Sequence, residues 1–112
     1  MSTTKNNVKG MIMGQAFELG FKELVWEHAN YLSSWDDDLP RGAQEETAKQ
    51  LADGAEATRK GLEMFQIKNQ SRINPKASRQ FFGKWTGNQN ISEVARKKVV
   101  SIYEDLKKRS DC

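Results

Sequence analysis

The stretch MIMGQAFELGFKELVWEHANYL, residues 11–32, decides the fold. Within it Met13, Phe17, Gly20, Phe21, Leu24, His28, Tyr31 and Leu32 recur at spacings of three and four, which places them on one face of a helix. Ile12, Ala16, Leu19 and Trp26 form a second apolar stripe, rotated by roughly 100° from the first because neighbouring helix residues differ by that angle. A helix at the surface of a domain needs one stripe. Two stripes predict a central helix with partners on both sides, drawn from later helices of the chain or from a second copy of it.

Ahead of this stretch, residues 1–7 are small and polar and read as a flexible arm, so the first helix is expected from Val8 to Leu32. Behind it, Ser33 to Gly42 combines Ser, Asp and Pro40, which is capping and turn chemistry. The run Asp36, Asp37, Asp38 lacks the alternate spacing, distant acid and turn glycine of a divalent-ion loop, so no metal is expected there. A second helix is predicted over Ala43 to Gln66. Ala48, Leu51, Ala52, Ala55, Leu62 and Phe65 share one face of it, and Glu45–Lys49 and Glu56–Lys60 stand at the favourable i, i+4 spacing. Gly54 costs such a helix about 1 kcal/mol relative to alanine and marks a place for a break.

Asn69 to Pro75 reads as a loop, with Asn74 and Pro75 as N-cap and first residue of a short helix to Trp85. Gly87, Asn88 and Asn90 punctuate the next turn. A last helix is expected from Ile91, with Asn90 and Glu93 in a capping-box relation and Ala95, Val99, Ile102, Tyr103 and Leu106 facing inward. Lys107, Lys108 and Arg109 stand where the helix dipole favours cations. No stretch alternates as a strand does, and no repeat is visible. The expectation is an all-α chain, a small bundle of about four helices around a central N-terminal one, with residues 8–112 as a single helical domain.

The 112 residues suffice for one modest core, and 37% hydrophobic with 29% charged residues is the composition of an ordinary globular chain. No apolar run is long enough to span a bilayer, and MSTTKNNVKG at the start lacks the apolar centre of a signal peptide. The single cysteine, Cys112, fits a reducing compartment, so a cytoplasmic location is expected, with no membrane partner. The charge is divided unevenly. Residues 1–66 hold 7 Lys and Arg against 11 Asp and Glu, whereas residues 67–112 hold 11 against 4. Such asymmetry points either to a polyanion meeting one end of the molecule or to the two halves attracting each other.

No catalytic set is legible, and the expectation is a protein that is not an enzyme and needs no cofactor. His28 is the only histidine and lies on an apolar stripe. Glu23 and Glu27 are near it, but no second histidine completes a zinc or di-iron motif. Cys112 at a chain end is poorly placed for an oriented nucleophile, and no phosphate-cradling glycine loop is present.

The basic half, about residues 68–109, is more informative. Lys68, Arg72, Lys76, Arg79, Lys84, Arg96, Lys97 and Lys98 are interleaved with Phe81, Phe82 and Trp85 and with the amides Gln80, Asn88 and Gln89. Lysine and arginine neutralise phosphates, while arginine, glutamine and asparagine read base edges in the major groove. The aromatics fit the inward side of a short helix equally well. Residues 78–106, in particular SRQFFGKWTGNQNISEVARKKV from Ser78 to Val99, resemble the recognition helix, turn and following helix of repressor-type helix-turn-helix proteins. Upstream, Gln70 to Lys76 has no counterpart of that family's first motif helix. A second register sets Glu45 to Ala52 as the first helix and Glu56 to Leu62 as the second, with Ala52 in the usual glycine position and Thr58 and Gly61 in place of apolar residues. The C-terminal register implies Arg79, Gln80 and Lys84 in the major groove and Arg96 and Lys97 on phosphates.

The function expected is therefore a small helical DNA-binding protein, a regulator contacting double-stranded DNA through Lys68, Arg72, Lys76, Arg79, Gln80, Lys84, Trp85, Arg96 and Lys97, with helix 8–32 available for a homodimer. The alternative is a protein–protein module with no nucleic-acid role, such as an inhibitor, immunity or adaptor protein of a phage or mobile element, anchored by Trp26, Trp35 or Trp85.

Overall fold

A computed structural model describes residues 2–34, 41–65 and 73–110, and their side chains except those of residues 2–6, 41–43 and 65. Four helices follow one another: α1 (Ser2–Ser33), α2 (Arg41–Phe65), α3 (Pro75–Gly87) and α4 (Glu93–Ser110). There is no strand among the described residues. The all-α bundle is as expected, and α1 packs against each of the other three helices, so it is the central element. Asp36 to Asp38, Trp35, Pro40, Lys68 and Arg72 lie outside the described residues.

The inner face of α1 is the first stripe. Met13, Phe17 and Leu24 are buried, Phe21, His28 and Tyr31 are half-buried, and only Leu32 at its end is exposed. The second stripe divides. Ala16 is buried and Ile12 half-buried, but Leu19 and Trp26 point to solvent, Trp26 with 67% of its surface exposed. The three neighbouring helices thus cover the inner side of α1, and among the described residues its outer side faces solvent. The helix also starts at Ser2 rather than Val8, so residues 2–7 of the stretch set apart as an arm form its first turns. Adding a residue to an existing helix fixes one residue for one hydrogen bond, which polar residues do almost as well as apolar ones.

Gly10 and Gly14 of α1 are requirements of packing. A β-carbon on Gly10 would stand 2.2 Å from the Pro75 carbonyl oxygen, and one on Gly14 would stand 2.1 Å from Ile73 Cγ2. The chain entering α3 thus lies directly on the backbone of α1.

α2 is unbroken. Gly54 carries on the helix and brings it close to the start of α4, its β-position 3.4 Å from the backbone nitrogen of Ala95 and from Val94 Cγ1. The inward residues are Gln44, Ala48, Leu51, Ala55, Thr58 and Leu62, alternating by four and three, whereas Ala52, expected inside, is exposed. Thr58 is fully buried because its hydroxyl donates to the carbonyls of Gly54 and Ala55 at 2.9 and 2.8 Å, which removes the cost of burying it. On the surface, Glu56 bonds to Arg59 rather than to Lys60, and Arg59 also reaches Glu63. The continuity of α2 overturns the helix-turn-helix register at 45–62, since no turn separates its two halves.

α4 sends Ala95, Val99 and Tyr103 into the core, with Ile102 and Leu106 half-buried. It starts at Glu93 rather than Ile91, and the Ser92 carbonyl accepts its first bond, from the Arg96 N–H, so Ser92 rather than Asn90 is at the cap. A charged contact ties α4 to α1. The Lys98 ammonium donates to Glu27 and lies 3.6 Å from Glu23.

Candidate nucleic-acid interface

α3 begins where the sequence predicts. Asn74 is extended (φ −90°, ψ 108°), its side-chain oxygen accepts from the backbone N–H groups of Lys76 and Ala77 at 3.1 and 3.2 Å, and Pro75 takes the first helical position. The Ser78 hydroxyl donates to the Asn74 carbonyl at 2.9 Å, which allows Ser78 to be fully buried. The helix closes at Gly87, where the Asn88 N–H donates to the Trp85 carbonyl.

The inner side of α3 is aromatic. Trp85 meets Phe17 edge-on with ring centres 4.6 Å apart, and Phe82 meets Phe17 at 5.9 Å and Tyr103 at 4.9 Å. α2 makes room for this with Gly61, where a β-carbon would stand 2.6 Å from the Phe17 ring and 3.1 Å from Trp85 Nε1. Trp85 is only 3% exposed. It belongs to the core and has no ring face free to stack on a base, which removes it from the nucleic-acid set.

With its aromatic side fixed, α3 turns Lys76, Gln80, Gly83, Lys84 and Gly87 outward. None of Lys76, Arg79 and Lys84 forms an ion pair among the described residues. α3 carries no carboxylate, and no Asp or Glu occurs anywhere between Glu63 and Glu93. Arg79 is half-buried, and its Nε is buried with no hydrogen-bond partner among the described residues. A β-carbon on Gly83 would meet nothing within 4 Å, so no internal contact requires glycine there.

Two grooves flank this face. One of about 210 Å³ is lined by Met64, Ala77, Gln80, Phe81 and Lys84, with no acid in it. The other, of about 500 Å³, runs between α2, α3 and the α3–α4 turn, and Asp53 and Glu56 stand at its edge. Hydrogen bonding from Arg59 holds the Glu56 carboxyl below the usual value. The first groove thus has a cation and no acid, whereas the second has Asp53 and Glu56 beside Lys60.

The cations of α4 are placed differently. Arg96 and Lys97 stand 3.5 and 3.8 Å from Glu93, and Lys98 is held by α1. Its hydrogen bond to Glu27 raises the Lys98 pKa above the ordinary lysine value, against the lowering effect of burial. The structure therefore brings Lys76, Gln80 and Lys84 together on one face, with Arg79 beside them, and leaves Arg96 and Lys97 on a separate helix beside a carboxylate.

Residues 78–106, which carry the C-terminal resemblance, fall on α3, the turn after it and α4. The motif's first helix is not found at its usual short turn from α3, because nine residues separate Phe65 from Pro75. No protein-family model, curated protein or solved structure matches the chain. No helix among the described residues is long and apolar enough to cross a membrane.

Proposed function

We propose that this chain is a small helical nucleic-acid-binding protein whose α3 lies against double-stranded DNA. The observation that carries the reading is that α3, alone of the four helices, has cations and no carboxylate, with Lys76, Gln80 and Lys84 on one exposed face. Lys76 and Lys84 neutralise phosphates and release counterions, Gln80 offers an amide to a base edge, and Gly83 lets the DNA approach the helix backbone. At 13 residues α3 is about 20 Å long, short enough to lie in a major groove. Arg79 supports the contact from the side. A regulatory role follows from this reading only where binding is sequence-selective.

The test is fluorescence anisotropy of a labelled mixed-sequence duplex at low and at physiological salt. Two lysine–phosphate contacts predict that log K falls with log salt at a slope of about −2, near −0.9 for each contact. An absence of binding at low salt ends the proposal, because non-specific attraction alone should be seen there.

A second reading, a protein-interaction module, is supported by the solvent-facing side of α1 and Trp26 in particular. Its contacts are apolar and so only weakly salt-dependent, which separates it from binding through α3.

A further inference from the structure

Seven large hydrophobic side chains among the described residues are more than a third exposed. Six of them lie on α1, namely Val8, Met11, Leu19, Val25, Trp26 and Leu32. At 100° per residue the six fall within an arc of about 140°, on the opposite side of the helix from Met13, Phe17 and Leu24. The charged residues in that arc are Glu18 and Lys22, which stand 3.4 Å apart. Monomeric proteins scatter exposed hydrophobics over the surface, whereas a concentration of them on one helix face marks a contact.

We propose that this face packs on the same face of a second copy, with the two α1 helices antiparallel about a two-fold axis at the height of Gly20. At the centre of the face the pattern reverses about that point. Met11 mirrors Ala29, and Glu18 mirrors Lys22. An antiparallel contact sets Glu18 of each copy opposite Lys22 of the other, twice by symmetry. A parallel contact sets like charges face to face, which costs free energy. The face thus complements itself in one orientation only.

Its size sets the strength. From Val8 to Leu32 the face is about 36 Å long and about 10 Å wide, roughly 400 Å² per copy, against about 800 Å² per partner in a standard stable interface. The dimer is accordingly in exchange with monomer and concentration-dependent.

Sedimentation equilibrium of the full chain from micromolar to millimolar concentration tests the association, and thiol cross-linking tests the orientation. With Cys112→Ser as background, Met11→Cys combined with Ala29→Cys is expected to give a covalent dimer with a short cross-linker, and Met11→Cys alone is not. Lys22→Glu is expected to weaken association at least tenfold, and adding Glu18→Lys to restore it. Trp26→Glu is expected to leave the circular dichroism unchanged and shift the chain to monomer. A monomer throughout the concentration range overturns the proposal, as does efficient cross-linking of Met11→Cys with itself. Partner proteins other than a second copy leave the purified chain monomeric and so fall under the first of these outcomes.

Discussion

α3 and α4 carry the same net charge and dispose of it in opposite ways. α3 has Lys76, Arg79 and Lys84 and no acid, while α4 has six Lys and Arg offset by Glu93, Glu104 and Asp105. On α4 the cations nearest α3 in sequence are engaged, Arg96 and Lys97 with Glu93 one turn away and Lys98 with Glu27 on α1. On α3 nothing among the described residues engages them. The difference shows that the charge of an element does not measure its capacity for a polyanion. What counts is whether a carboxylate lies within a helical turn or on the neighbouring helix, since a paired cation gives up one partner to gain another.

The largest effect in this comparison should come from the inner side of α3. Trp85→Ala removes a buried aromatic wedged against Phe17 and is expected to cost about 3–5 kcal/mol of stability in denaturant unfolding. A cost below about 1 kcal/mol would mean that α3 is not anchored by that ring. Next in size is the paired test of the two helices. Lys76→Glu with Lys84→Glu should reduce affinity for a duplex at low salt by about tenfold or more, while Arg96→Glu with Lys97→Glu, the same change in net charge, should reduce it about threefold or less. Equal losses would show that overall charge, rather than its placement, governs binding.

Gly83→Ala sharpens the comparison further by moving two readouts in opposite directions. Its β-carbon meets nothing, so the helix should gain about 1 kcal/mol of stability. DNA affinity should fall severalfold if the backbone of α3 is the contact surface, and unchanged affinity would move the DNA away from Gly83. The smallest effect belongs to the link between α1 and α4. Lys98→Met should cost about 1 kcal/mol, as expected for a partly exposed ion pair. Because the folded-state pKa of Lys98 is raised, its contribution is fully present below the pKa of an unfolded lysine and is lost as pH rises through the higher folded value. Wild-type stability minus that of Lys98→Met should therefore be flat across neutral pH and decline in alkali. A difference that changed near pH 7 would assign the contact to another group.

Much of this architecture was legible in the residues. Asn74 before Pro75 marks the start of α3 with side-chain chemistry that acts within three residues, and the same locality makes the apolar face of α4 readable from spacing alone. Thr58 and Ser78 were not legible as core, because a hydroxyl satisfied by a carbonyl of its own helix is polar in sequence and inert in place. Trp85 was ambiguous for the converse reason. Nothing in its neighbours along the chain reveals the vacancy that Gly61 leaves for it on another helix.

The sequence by itself determined the helical class, the existence of a central N-terminal helix and the acid-free run from Glu63 to Glu93, because periodicity and composition are properties of neighbouring residues. Only the tertiary structure decided that Leu19 and Trp26 face outward, that Gly54 continues a helix, that Lys98 is bound to α1, and that Lys76, Gln80 and Lys84 share an open face. Each of those outcomes depends on which helix lies beside which, and that is fixed by packing across the core between residues far apart in the chain.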